Sequence, residues 1–215
     1  KSYLISGIVD DFGTATLQHS DPNLIENALP PLLLAVDSFL IDDPDNTRFL
    51  LSATEAYTSY ATLIEFIDES RAKSLYERAH WYGRKLLQKK IKTSDLSSLS
   101  YLNFEKAINE FKETDIDLVF WSASAWGGSI NANIESMNSI AELPRVILLM
   151  EWVLSKDESF NDGGAHLFLG VFNAALPPLL GGKPKIAKFH FQRCMDITRH
   201  ESLMPYVLKA EYYAR

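Results

Sequence analysis

Three segments of this chain carry the same spaced triplet. Each has a small or apolar residue, a bulky one four positions on, and another small or apolar one three further: Ala72-Tyr76-Ala79, Val146-Met150-Val153 and Ala187-Phe191-Cys194. Offsets of four and seven share one face of a 3.6-residue helical period. A chain that repeats this stripe must bury one face of each of several helices, and the small residues let neighbouring helices approach closely. No stretch alternates apolar and polar at period two for long, so no strand is predicted.

The last stripe belongs to the most informative stretch, Asp162 to Asp196. It reads as two helices packed back to back. Asp162 is placed as the N-cap of the first, where its carboxylate can accept orphan N–H groups. Pro177-Pro178 ends that helix, because proline donates no N–H. Gly181-Gly182 turns the chain, and Pro184 suits the first turn of the second helix. Small, aromatic, small is the packing pattern of the second helix of a tetratricopeptide (TPR) hairpin.

The rest of the chain is read as helices in series. Residues 5–17 are expected to be helical, weakened by Gly7 and Gly13. A clearer helix runs from Asp21-Pro22 to Leu29; Pro30-Pro31 kinks or divides it, and it continues to Ile41. Asp42-Asp43-Pro44-Asp45-Asn46 is a turn. Thr47–Phe66 is a long helix with Leu50, Ala53, Tyr57 and Ala61 on one stripe, and Ser70–Lys89 follows. Residues 93–100 form a Ser-rich loop. Short and longer helices then cover Phe104–Phe111 and the segment from Asp115 through Trp126. Ile134–Ser155 is broken near Pro144, and Ser202–Arg215 is helical again. Segments 72–79, 146–153 and 187–194 repeat with spacings that depart from the strict period of about 34 residues, and none carries the full first-helix TPR signature.

Longer motifs narrow the family. Asp43-Pro44-Asp45-Asn46, Trp121-Ser122-Ala123-Ser124-Ala125-Trp126-Gly127, Asp162-Gly163-Gly164-Ala165-His166-Leu167-Phe168-Leu169-Gly170, Pro177-Pro178-Leu179-Leu180-Gly181-Gly182, Ala187-Lys188-Phe189-His190-Phe191 and Glu211-Tyr212-Tyr213-Ala214-Arg215 occur in that order. Together they resemble the TatT family, the TPR-like T component associated with TRAP transporters, from about Asn23 to Arg215. The resemblance implies an all-α, TPR-like fold of antiparallel hairpins in a superhelical or bundle arrangement, with residues 1–215 as a single domain. It implies a periplasmic lipoprotein that works with a TRAP-type solute-binding protein, forms a homo-trimer, and passes small hydrophobic or organic-acid ligands through a groove or pore. The chain opens on Lys1-Ser2-Tyr3 and stops inside a helical pattern. It is therefore read as trimmed at both ends, with its membrane attachment confined to a removed N-terminal lipid anchor. The competing reading is a general TPR-like protein-interaction scaffold without a transport role.

Composition excludes some classes. With 21 Lys and Arg against 28 Asp and Glu, the net charge is −7 at pH 7, which disfavours a nucleic-acid partner. The single cysteine, Cys194, permits no internal disulfide. No apolar run is read as approaching the roughly 20 residues of a membrane span, since prolines cut short the most apolar segment, Leu167–Leu180. Phosphate loops, zinc-protease motifs and nucleophile elbows are absent from the sequence. None of the five histidines pairs at i, i+4. No enzyme activity, cofactor or metal is expected. His166 and His190 lie on adjoining helices and can meet.

The candidate ligand residues are mainly aromatics and amides. Trp121 and Trp126 are five apart, so they project roughly 140° apart on a helix and cannot share one narrow stripe. Tyr57 and Tyr60 share a face. Asn131 follows a double glycine and offers an amide, and His166 lies in the organising hairpin. These six residues are assigned to ligand binding, against a competing reading of core packing. Leu179 and Leu180 are assigned to partner contact, against a tucked hairpin end.

Overall fold

The computed structural model describes residues 21–213, apart from the side chains of Pro22, Asn23 and Leu180. The expected helix over 5–17, His19, the opening Lys1-Ser2-Tyr3 and the last two residues of the Glu211–Arg215 motif lie outside the described residues. Among the described residues the chain is all-α, with no strand. The helices are α1 (Pro22–Asp42), α2 (Thr47–Ile64), α3 (Glu69–Ile91), α4 (Tyr101–Asn109), α5 (Ile116–Asn131), α6 (Met137–Ala141), α7 (Leu143–Lys156), α8 (Phe160–Ala175), α9 (Pro184–Ile197) and α10 (Met204–Tyr212). The described chain falls into two compact units, residues 21–110 with Asp117–Val146, and Phe111–Ile116 with residues 147–213.

In the first unit α1 is one helix, not two: Pro30 and Pro31 sit inside it. Their rings donate no N–H to the carbonyls one turn back, on Glu26 and Asn27, and neither of those residues is buried, where a lost helix bond costs least. Because the prolines do not divide it, Leu24–Asp42 meets the length and composition of a membrane span, 19 residues at mean hydropathy 1.5. The sequence reading, which took Leu167–Leu180 as the most apolar segment, missed this one. One stripe of α1, Leu29, Leu33, Val36 and Leu40, is buried. Between Val36 and Leu40, Asp37 ties α1 to its neighbours. Its carboxylate accepts from the Tyr57 hydroxyl on α2 at 2.8 Å and from the Tyr82 hydroxyl on α3 at 2.5 Å, and it pairs with Arg78 at 3.3 Å.

The acidic turn before α2 is a cap. Asn46 accepts from the N–H groups of Arg48 and Phe49 and donates to Asp43, satisfying orphan donors at the helix start. α2 and α3 pack against each other, and Leu50, Ala53, Ala61, Ala72 and Ala79 along them are buried. Two close approaches bring α5 against α3. Ser122 donates to the Gly83 carbonyl at 3.3 Å. A Cβ on Gly128 would stand 2.3 Å from two ring atoms of Tyr76, so any side chain there must displace that ring.

In the second unit α8 and α9 form the predicted hairpin, with Ala187, Phe191 and Cys194 buried. A Cβ on Gly170 would meet the Phe191 ring at 3.1 Å. The start of α8 differs from the expected Asp162 cap. Asn161, Asp162 and Gly163 adopt left-handed conformations, with φ of 49°, 56° and 74°. This left-handed turn, tolerated by Asn, Asp and Gly, leads into the regular helix in place of an extended capping residue. At the far end Leu176 is extended, Gly181 has φ 97°, and Pro184 opens α9.

Candidate functional site

The first unit contains a cavity of about 310 Å³, at the small end of ligand pockets. α3 contributes His80 and Arg84, one turn apart on the same face. α5 contributes Trp126, Ser129 and Ile130. Leu96 and Ser97 come from the loop between α3 and α4, and Asn138, Ser139 and Glu142 from α6 and its junction with α7.

The walls are held from behind. The His80 ring stacks on Trp126 with centroids 5.2 Å apart at 29°, and Phe104 meets the indole edge-on at 6.3 Å. Arg84 donates to Asp95 at 2.5 Å, and Ser97 donates to the same carboxylate through its N–H and its hydroxyl. Those bonds hold the Asp95 carboxyl below its usual range, the two from Ser97 contributing most. They also order a loop that composition alone suggests is loose. Glu142 accepts from Arg145 at 2.7 Å, and Arg145 in turn donates to the Leu99 carbonyl at 2.5 Å. Both charged lining residues are therefore fixed by counterions that do not themselves line the cavity.

His80 is the unusual group. Its Nδ1 is buried with no hydrogen-bond partner among the described residues. Burial, aided by the nearby Arg84 cation, pushes its pKa from 6.5 down to about 4. At neutral pH it is an uncharged imidazole with an unmet hydrogen-bonding atom, a costly arrangement in a folded chain.

Of the six residues assigned to ligand binding from sequence, Trp126 lines this cavity. Trp121 is half-buried and meets Phe120 edge-on at 5.2 Å. Tyr57 is buried with its hydroxyl on Asp37; burial and that bond push its pKa up to about 12. Tyr60 is buried under the Arg71 guanidinium, 5.2 Å from the ring centroid. Asn131 is exposed at the end of α5. The sequence reading missed His80, Arg84 and Glu142. His80 and Arg84 share one helix, Glu142 comes from a distant segment, and the three share no motif, so no local pattern marks them.

His166 belongs to a separate cluster in the second unit. Its Nδ1 lies 2.8 Å from Nδ1 of His190, and its Nε2 lies 3.4 Å from Glu158. Arg193 donates to the same carboxylate through Nε at 3.0 Å and through Nη2. If His166 donates through Nε2, its Nδ1 is the acceptor for the proton on His190 Nδ1. Burial lowers the pKa of both histidines, that of His190 to about 4. The Arg193 bond holds Glu158 at about 2. Cys194, one turn beyond His190, has its thiol pushed up to about 11 by burial, which makes it an inert core residue.

Leu179 is 97% exposed at the tip of the α8–α9 loop, so the tucked-end reading does not describe it. The loop beneath it is closed by backbone bonds from Gly181 to Pro178, Gly182 to Pro177 and Lys183 to Asn173.

A sequence model of a family described as the TRAP transporter T-component matches residues 18–215. No curated protein matches the chain.

Proposed function

This chain belongs to the TRAP transporter T-component family, and from that premise we propose that it binds a small organic acid in the cavity beside His80 and delivers it to, or takes it from, a TRAP-type solute-binding protein. The family gives the accessory role in TRAP transport and an envelope location. The finer reading is of a periplasmic, lipid-anchored TPR-like domain, assembled as a homo-trimer, with Leu179 and Leu180 at the receptor contact.

The observation that carries the ligand part is the cavity itself: a volume of about 310 Å³ walled by Trp126 and Ile130 and edged by Arg84 and several hydroxyls. With a net charge of −7 the protein's field opposes an anion from outside, so an organic acid needs a local cation, and Arg84 supplies one. Support for the contact part comes from the proline-braced loop that presents Leu179, closed by three backbone bonds, because a preordered loop loses little entropy on docking.

Two measurements test the reading. Mass spectrometry of small molecules that co-purify with the protein should return a carboxylic acid. Calorimetry against a TRAP-type solute-binding protein should show saturable binding. A strictly monomeric protein that carries no acid and binds no receptor would leave only the general scaffold.

A further inference from the structure

We propose that the cavity beside His80 takes a small zwitterion, an organic acid that also carries a cationic group, because its lining presents one guanidinium, Arg84, and one carboxylate, Glu142, next to the apolar surface of Trp126 and Ile130. The inference rests on the proposed ligand-binding role and narrows it to a chemical class.

The two charges come from different elements, Arg84 from α3 and Glu142 from the α6–α7 junction. Each is anchored, Arg84 by Asp95 and Glu142 by Arg145. Anchoring reduces the side-chain entropy lost when a ligand binds. It leaves hydrogen-bonding capacity as well. Arg84 meets Asp95 through Nη2, and a guanidinium carries five N–H donors. Glu142 is engaged by Arg145 through Oε2, so Oε1 remains able to accept.

Arg84 and Glu142 cancel, so the lining is neutral as a whole. A plain carboxylate gains from Arg84 and is opposed by Glu142; a plain amine meets the reverse. A solute with both charges uses both groups and imports no net charge into the protein's interior. The serine hydroxyls and the Asn138 amide can donate or accept and so favour neither sign. Trp126 and Ile130 are left for an apolar side chain.

The test uses matched triads on the intact protein: L-alanine, L-leucine and L-phenylalanine, each against the acid lacking its amino group and the amine lacking its carboxyl group. Affinities are read by isothermal titration calorimetry near pH 7.5. In at least one triad the amino acid should bind at least about tenfold more tightly than either counterpart, the size expected for losing one hydrogen bond to a charged group. Ser129→Phe, which fills the cavity, should abolish that binding. Glu142→Gln keeps an acceptor for Arg145 and should erase the preference for amino acid over acid. If an acid binds as tightly as its amino acid, the zwitterion inference falls and the organic-acid reading stands. If no triad member binds, both fall. If Ser129→Phe binds as the parent does at unchanged melting temperature, the ligand lies outside this cavity and the inference is overturned.

Discussion

His80 should make the protein acid-labile in a defined window, and replacing it should remove that part of the lability. An exposed histidine titrates near 6.5, and burial holds His80 near 4 in the folded protein. Above pH 6.5 the imidazole is neutral in both states and costs nothing in proton uptake. Between 6.5 and 4 the unfolded chain binds a proton that the native one refuses, so stability falls as pH falls, and below 4 this contribution levels off. At roughly 1.4 kcal/mol per pKa unit, the shift corresponds to about 3 kcal/mol lost by pH 4. His80→Phe keeps a ring on Trp126 and removes both the titrating group and its unpaired Nδ1. Urea unfolding of parent and variant at pH 7.5, 6, 5 and 4 gives the answer. The variant should be as stable as the parent or more so at pH 7.5 and should lose about 3 kcal/mol less on going to pH 4. His190, also held near 4 by burial, contributes equally to both proteins and cancels in the difference. Parallel curves for the two would refute the argument.

Other substitutions probe the packing and the loop. Gly128→Ala should destabilise by about 1–3 kcal/mol, less the up to about 1 kcal/mol that alanine gains in a helix. The Tyr76 ring it would strike is held by hydroxyl bonds to Glu65 and Thr62; a neutral result in chemical denaturation would show that the ring can yield. Ala187→Leu should cost about 1–3 kcal/mol by overpacking the α8–α9 contact, read as a lower denaturation midpoint with an unchanged slope. Leu179→Ser should leave the melting temperature unchanged and weaken receptor binding in calorimetry; a drop in melting temperature with intact binding would assign the residue to the hairpin instead.

Much of the fold was legible because it depends on local pattern. The stripes at 72–79, 146–153 and 187–194 are buried throughout, since helical period and burial are two views of the same face. The turn at Asp43–Asn46 and the proline-glycine end of α8 were readable from turn chemistry. Three features were not. The continuity of α1 through Pro30-Pro31 falls where the preceding turn, Glu26 and Asn27, is not buried, which composition does not record. The left-handed run at Asn161–Gly163 is one of several conformations those residues tolerate. The cavity is the largest omission. His80 carried no sequence signal until Trp126, forty-six positions on, stacked on its ring, and Arg84 and Glu142 gained meaning only beside each other. Sites assembled by long-range packing carry no periodic signature.

The motifs by which the chain resembles its family do mainly structural work. Asn46 caps α2, Ser122 bonds the backbone of α3, Gly170 admits Phe191, and Pro177 to Gly182 close a loop. Trp126 alone among them lines the cavity, and it does so with an apolar ring that suits many solutes. The two charged residues that line the cavity, Arg84 and Glu142, lie outside every motif and are held by partners that also lie outside, Asp95 and Arg145. Caps and close approaches fix where the walls stand, while the charges on those walls rest on two independent ion pairs. Both pairs also hold local backbone, Asp95 through Ser97 and Arg145 through the Leu99 carbonyl. The family resemblance therefore identifies the transport role, and the chemistry of the solute has to be read from the four charged residues themselves.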